Sequence, residues 1–200
     1  MAVIRLADPK SDARQVAAIY YPYVLNTPIT FESEPPDGHE MSSRMENVLT
    51  SYPWIVCVHD DEVMGYAYGS QFRTREAYDW SVETTVYVRE AAHGLGIGSA
   101  LYTSLLECLR LQGYVSAVGV IALPNHKSVM LHEKLGFHQD GILPSAGYKN
   151  GTWYDVGLWW KQLGKPPEQP ETPLKISDLG RGKNNDLAVA LTKGQIRLKI

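Results

Sequence analysis

Three apolar runs in succession, 54–59, 63–72 and 80–88, lead into a glycine-rich loop, Gly94-Leu95-Gly96-Ile97-Gly98-Ser99, that opens a helix. The runs are short and rich in Val, Tyr and Trp, as strands are, and Asp60-Asp61 makes a tight turn between the first two. Over 99–112, Leu101, Leu105 and Leu109 recur at helical spacing, with Tyr102 and Leu106 widening the stripe. Alternate glycines keep Cβ atoms out of the loop, so a ligand can approach its backbone, and the N–H groups of a helix start suit a phosphate. The antiparallel meander ahead of the loop is not the opening of a βαβ unit, which argues against a dinucleotide fold. No Gly-Lys-Ser/Thr completes a P-loop.

The rest of the first 163 residues reads as mixed α/β. A strand at 3–6 precedes a helix expected to start at Asp12-Ala13-Arg14-Gln15 and run to about Leu25, with Pro22 bending or ending it. A Pro35-Pro36-Asp37-Gly38 turn leads to a helix near 40–49. After the loop helix come a nearly continuous β-branched strand, 115–123, and a short helix, 128–135, that stops at Gly136. A hairpin from Phe137 to Trp160, turned at Asn150-Gly151, completes the body.

Charge and cysteine usage exclude several functions. Lys and Arg number 19 against 22 Asp and Glu, a net charge of −3 that leaves no cationic excess for nucleic acid. Cys57 and Cys108 lie far apart and read as packing residues, and the six histidines show no metal-ligand spacing, so no metal is expected. No apolar run approaches the length of a signal peptide or a membrane span, so the expectation is a soluble cytoplasmic protein without membrane partners. Residues 164–200 begin Pro-rich and carry +3, leaving −6 on residues 1–164. This segment is expected to be a linker and a mobile tail, with at most a short strand within 187–200.

The glycine loop, taken with Asn125-His126-Lys127-Ser128-Val129-Met130-Leu131-His132-Glu133-Lys134-Leu135-Gly136-Phe137, resembles the cofactor-binding motifs of the GNAT superfamily of N-acetyltransferases. Tyr52-Pro53-Trp54, Ala77-Tyr78-Asp79-Trp80, Glu83-Thr84-Thr85-Val86-Tyr87-Val88 and Gly147-Tyr148-Lys149-Asn150-Gly151-Thr152-Trp153-Tyr154-Asp155-Val156-Gly157 narrow the resemblance to its phosphinothricin N-acetyltransferase group. The resemblance covers residues 4–160 and implies a mostly antiparallel sheet flanked by about four helices, with two strands splayed at the acetyl-CoA site. It implies cofactor contacts from Val86, Tyr87, Val88, His93, Gly94, Leu95, Gly96, Ile97, Gly98, Ser99 and Asn125. His93 stands where the superfamily usually has Gln or Arg, and Gly94 where a basic residue is common, so backbone donors are expected to hold most of the pyrophosphate.

Acetyl transfer to an amine needs a base, because an α-amine is largely protonated near neutral pH, and an acid for the departing thiolate. Glu83, a carboxylate in an apolar and hydroxyl-rich strand, is the candidate base, as the family also implies. His132 matches the position where most of the superfamily has Tyr and the phosphinothricin group a catalytic His; acid and base roles both stay open for it. Arg73 and Arg75 are suited to substrate anions. The family adds Tyr78, Phe31 and Tyr68 to the amino-acid pocket and implies a homodimer. The implied reaction is direct acetyl transfer from acetyl-CoA to the α-amine of a small L-amino acid or analogue, such as phosphinothricin or methionine sulfoximine or sulfone. Rival readings are an acetyltransferase for another small amine or a protein N-terminus, a non-catalytic acyl-CoA sensor and a nucleotide-binding protein.

Overall fold

The computed structural model describes residues 1–179 and 185–200. Asp8 caps helix α1 (Pro9–Asn26) by accepting from the Lys10 N–H at 3.0 Å, with Pro9 in the first turn, where its missing N–H costs nothing. The start expected at Asp12 is therefore one turn late. Asp12 instead lies buried inside the helix and takes a two-pronged bond from Arg5 at 2.7 and 2.8 Å. Pro22 does not end the helix; Thr27 follows it in extended conformation and gives its hydroxyl to the Tyr23 carbonyl at 2.7 Å. Helix α2 (Gly38–Leu49) is capped by Asp37, which accepts from the His39 and Glu40 N–H groups.

Seven strands make one sheet: β1 (Val3–Leu6), β2 (Trp54–His59), β3 (Glu62–Gln71), β4 (Ser81–Val88), β5 (Ser116–Ala122), β6 (His138–Lys149) and β7 (Thr152–Gln162). Their spatial order is β1-β2-β3-β4-β5-β7-β6, antiparallel throughout except between β4 and β5. Both central residues of the Asp60-Asp61 and Asn150-Gly151 turns have positive φ, 48° and 62°, 49° and 78°, which matches the twist of the hairpins they join. Helices α1 and α2 cover one face over Val16, Met41, Met45 and Tyr66. Helix α3 (Ile97–Gln112) covers the other with Leu101, Leu105 and Leu109, and α4 (His126–Lys134) stands beside it over β5.

After an exposed Pro-rich stretch over 164–172, two described parts of the segment that follows β7 pack against the body. The Gln112 side-chain amide donates to both the Ser51 and Leu174 carbonyls, and Ile176 at the start of the short helix α5 (Ile176–Leu179) is 2% exposed. Residues 187–191, within the stretch where a mobile tail with at most a short strand was expected, form helix α6 (Asp186–Thr192). Leu187, Ala190 and Leu191 share one helical face, and Ala190 is buried. This apolar run is too short for its period to separate strand from helix until α3 is present to cover it. Ser104 of α3 clamps the exit of α6, donating to the Leu191 carbonyl at 2.7 Å and accepting from the Gly194 N–H at 3.0 Å.

Candidate active site

Strands β4 and β5 pair only from Ser81 to Glu83 against Ser116 to Val118. Beyond Glu83 they part, and among the described residues the rest of the β4 edge has no strand partner on that side. A cleft of about 660 Å³ opens at this divergence, lined by Val86, Tyr87 and Val88 of β4, by the glycine loop and by one face of α4. Gly94 and Gly96 hold φ of +84° and +81°, and a Cβ built on Gly94 would meet nothing within 4 Å, so at Gly94 the loop presents bare backbone to open space. Of the residues expected to hold the cofactor, Val86, Tyr87, Val88, His93, Gly94, Gly96, Ile97, Gly98, Ser99 and Asn125 line this cleft. Leu95 does not; its side chain packs into the core. Asn125 also caps α4 through the Ser128 N–H at 3.2 Å.

Several residues of the cleft carried no site assignment in the sequence. Lys127, Met130, Leu131 and Lys134 recur at helical spacing and present one face of α4 to the cleft. Tyr23 reaches across from α1, donating to the Val88 carbonyl at 2.7 Å and standing 3.1 Å from His93 Nε2. Lys127 Nζ lies 3.4 Å from His93 Nδ1, and His93 Nε2 lies 3.2 Å from the Val88 carbonyl. Arg197 and Lys199 come from the far end of the chain. Among the described residues the lining holds four lysines and arginines and no carboxylate.

At the root of the divergence stands a buried polar chain. Thr84 gives its hydroxyl to the Val118 carbonyl at 3.1 Å, and the Tyr102 hydroxyl lies 3.2 Å from the Thr84 carbonyl and 2.9 Å from His132 Nε2. His132 Nδ1 faces the Ser128 carbonyl at 2.8 Å; a carbonyl only accepts, so Nδ1 carries a proton. Burial holds the His132 pKa below its ordinary 6.5, partly opposed by the Ser128 bond, which favours the neutral ring with its lone pair on Nε2. Gly119 makes room for this ring: a Cβ there would run into Nε2 and Cδ2. His132 is 3% exposed and does not line the cleft; it meets the divergence through Tyr102.

Thr84 faces α3, so strand alternation sends Glu83 to the opposite face of the sheet, toward α1 and α2. The structure therefore sets Glu83 and His132 on either side of the sheet at the point where it splits. Burial raises the Glu83 pKa above its ordinary 4.5, and the Arg73 charge opposes the shift. Among the described residues the Glu83 carboxylate has no hydrogen-bond or ion-pair partner, so nothing offsets its desolvation except that charge.

A second cavity, about 320 Å³, lies on the Glu83 face between α2 and the sheet. Tyr68 lines it, as do Trp54, which belongs to a motif that carries the resemblance, and Tyr20, Glu32 and Arg44, none of which stood out in the sequence. Arg44 forks onto Glu32 at 2.8 and 3.0 Å, Tyr20 donates to Glu32 at 2.9 Å, and Trp54 stacks on Tyr68 with centroids 4.3 Å apart. Burial pushes the Tyr68 phenol up, and the Glu83 and Glu32 charges add to the shift, so its ring lies within the field of both carboxylates.

The remaining substrate candidates line neither cavity. Arg73 stacks 4.5 Å over the Phe72 ring, Tyr78 meets that ring edge-on, and Arg75 is exposed on the same loop. Phe31 lies over Gly147, where a Cβ would strike its ring, and 6.4 Å from Tyr154. Lys149 holds this region: its buried ammonium donates to the Val24 and Thr30 carbonyls at 2.6 and 2.7 Å, tying β6 to the segment that carries Phe31. Among the described residues no group of three His, Cys, Asp or Glu is placed to hold a metal ion, and no helix is long and apolar enough to cross a membrane.

Comparison with known proteins agrees with this architecture. Residues 4–158 match the acetyltransferase (GNAT) domain family. The chain is 42% identical over 165 residues to a phosphinothricin N-acetyltransferase of Streptomyces viridochromogenes, covering 82% of this chain and 90% of that one. It is 34% identical over 159 residues to an L-methionine sulfoximine/L-methionine sulfone acetyltransferase of Pseudomonas aeruginosa, covering 78% and 91%. A phosphinothricin acetyltransferase of Sinorhizobium meliloti, solved in complex with acetyl-CoA, superimposes with a TM-score of 0.80 at 34% identity, covering 88% of this chain and 98% of that one. With a sheet that splits beside a glycine loop and a sequence match over most of its length, the chain belongs to the GNAT acetyltransferase family.

Proposed function

We propose that this enzyme transfers the acetyl group of acetyl-CoA to the α-amine of a small L-amino acid or analogue, with phosphinothricin and methionine sulfoximine or sulfone as leading acceptors. The acceptor class rests on what the named relatives act on. The observation that carries the reading is the divergence of β4 and β5 after Glu83, with a cationic cleft along one wall and ionisable groups on both faces. The cleft fits the cofactor: exposed loop backbone and four cations suit a chain of phosphates, and the apolar wall of β4 suits a pantetheine arm.

Bound acetyl-CoA supplies an activated acyl group. In this reading Glu83 takes the proton of the substrate ammonium, directly or through a water, and its raised pKa narrows the gap to the amine. His132 shares acid/base duty through the Tyr102 hydroxyl, whose own proton is held firmly by burial. Transfer is direct, in a ternary complex. Burial pushes Cys57 up to about 11 and Cys108 up to about 12, so neither offers a thiolate for an acetyl-enzyme. Arg73 and Arg75 are proposed to meet the anionic groups of the acceptor, and Phe31, Tyr68 and Tyr78 to shape its pocket.

The assembly proposed is a homodimer acting in the cytoplasm. Ile142, Leu143, Tyr148 and Trp153 stand exposed on the β6–β7 hairpin, apolar side chains suited to contact with a second copy. Light scattering on the purified chain reads the mass.

A panel of amines assayed for CoA release tests the activity. The proposal expects turnover with phosphinothricin or methionine sulfone that exceeds turnover with N-terminal peptides and polyamines. Preference for a peptide acceptor overturns it.

A further inference from the structure

The cleft is cationic although residues 1–164 carry −6. Two of its four cations, Arg197 and Lys199, come from outside residues 4–158, the part of the chain that the family describes. We propose that the segment 195–199 is a built-in phosphate-binding strap, in which Arg197 and Lys199 pair with the phosphates of coenzyme A beside the glycine loop. The proposal rests on the acetyl-CoA reading above.

Three observations carry it. The strap is anchored where phosphates would lie: the Lys199 N–H donates to the Leu95 carbonyl at 3.0 Å, and the Arg197 carbonyl packs where a Cβ of Gly96 would otherwise project. The anchor is fixed from behind, because Ser104 grips both the end of α6 and Gly194. The two side chains are also uncommitted. Lys193 in the same segment spends its charge on Glu107 at 2.8 Å, whereas Arg197 and Lys199 are exposed and pair with no carboxylate among the described residues. An arginine fork and an ammonium suit phosphate oxygens, with about one charge-assisted contact apiece.

Calorimetric titration of the full chain with CoA and with 3′-dephospho-CoA, at low and moderate salt, tests this, using wild type, Arg197→Ala/Lys199→Ala and Arg197→Lys. The double variant is expected to bind CoA at least about tenfold more weakly, with a shallower salt dependence, while Arg197→Lys keeps most of the affinity. An equal loss for both ligands places the contact at the diphosphate, and a loss confined to CoA places it at the 3′-phosphate; either supports the strap. Unchanged affinity and salt dependence in the double variant overturns it, as does tighter binding, which would mean that the strap covers the loop. Failure of wild type to bind CoA refutes the cofactor reading instead. Both side chains are exposed, so an unaltered melting temperature is expected and separates a binding loss from misfolding.

Discussion

The Tyr102 hydroxyl stands 2.9 Å from Nε2 of His132, while the opposite nitrogen of that ring faces the Ser128 carbonyl at 2.8 Å. One helix thus fixes the tautomer, and a second supplies the partner for the lone pair. Tyr102→Phe removes that partner and leaves a buried acceptor unpaired. It should cost about 1–3 kcal/mol of stability in urea denaturation. In steady-state kinetics kcat should fall by about tenfold or more, with KM for acetyl-CoA little changed.

The same burial governs how His132 titrates. Its folded pKa lies below the ordinary 6.5, so the unfolded chain takes up its proton first as pH falls. Its contribution to stability is constant above about 6.5 and declines as pH drops through and below that value. An NMR titration of the His132 ring should give a midpoint under 6.5, and His132→Gln should lose the corresponding slope in stability between pH 7.5 and 5.5.

Glu83 titrates in the opposite sense. Desolvation raises its pKa, so the carboxylate forms at a higher pH than an exposed glutamate, and activity should rise with pH through a midpoint above 4.5. Glu83→Gln should reduce kcat by about 10²- to 10⁴-fold and abolish that limb. Calorimetric binding of CoA should be unchanged.

Arg5 and Asp12 tie β1 to the first turn of α1. Asp12 is buried and accepts two bonds from Arg5 and one from the Asp8 N–H at 2.7 Å. Asp12→Asn should destabilise the fold by about 2 kcal/mol, toward the lower end for a charge pair because Arg5 is partly exposed. The Asp12 pKa is lowered, by the Arg5 and Asp8 bonds against burial, so this stability is present above about 4 and lost as pH falls below it. Thermal denaturation of both forms between pH 3 and 7 checks the amount and the sign.

What was legible in the chain follows the range of the interactions. The glycine loop, the two hairpin turns and the α3 stripe are local patterns, and the structure holds each within a residue or two of its expected limits. The true cap of α1 was hidden because Asp8 and Asp12 are both good caps, and only the contact between Arg5 and Asp12 decides between them. The Arg44–Glu32 fork and the grip of Lys149 on Val24 join distant segments, the latter 125 residues apart, and no spacing rule reaches them. The tail misled for a related reason. Leu187, Ala190 and Leu191 are too few to declare a helix, and their burial exists only once α3 offers a surface.

Acetyl transfer to an α-amine is tested most directly by following the acyl carbon. With acetyl-CoA labelled with ¹³C at the carbonyl and L-phosphinothricin or L-methionine sulfone as acceptor, NMR should show an amide carbonyl coupled to the α-proton region. One thiol should appear per amide formed, and none without the amine. Thiol release that proceeds without acceptor, or label that ends on acetate or on the protein, would contradict the account.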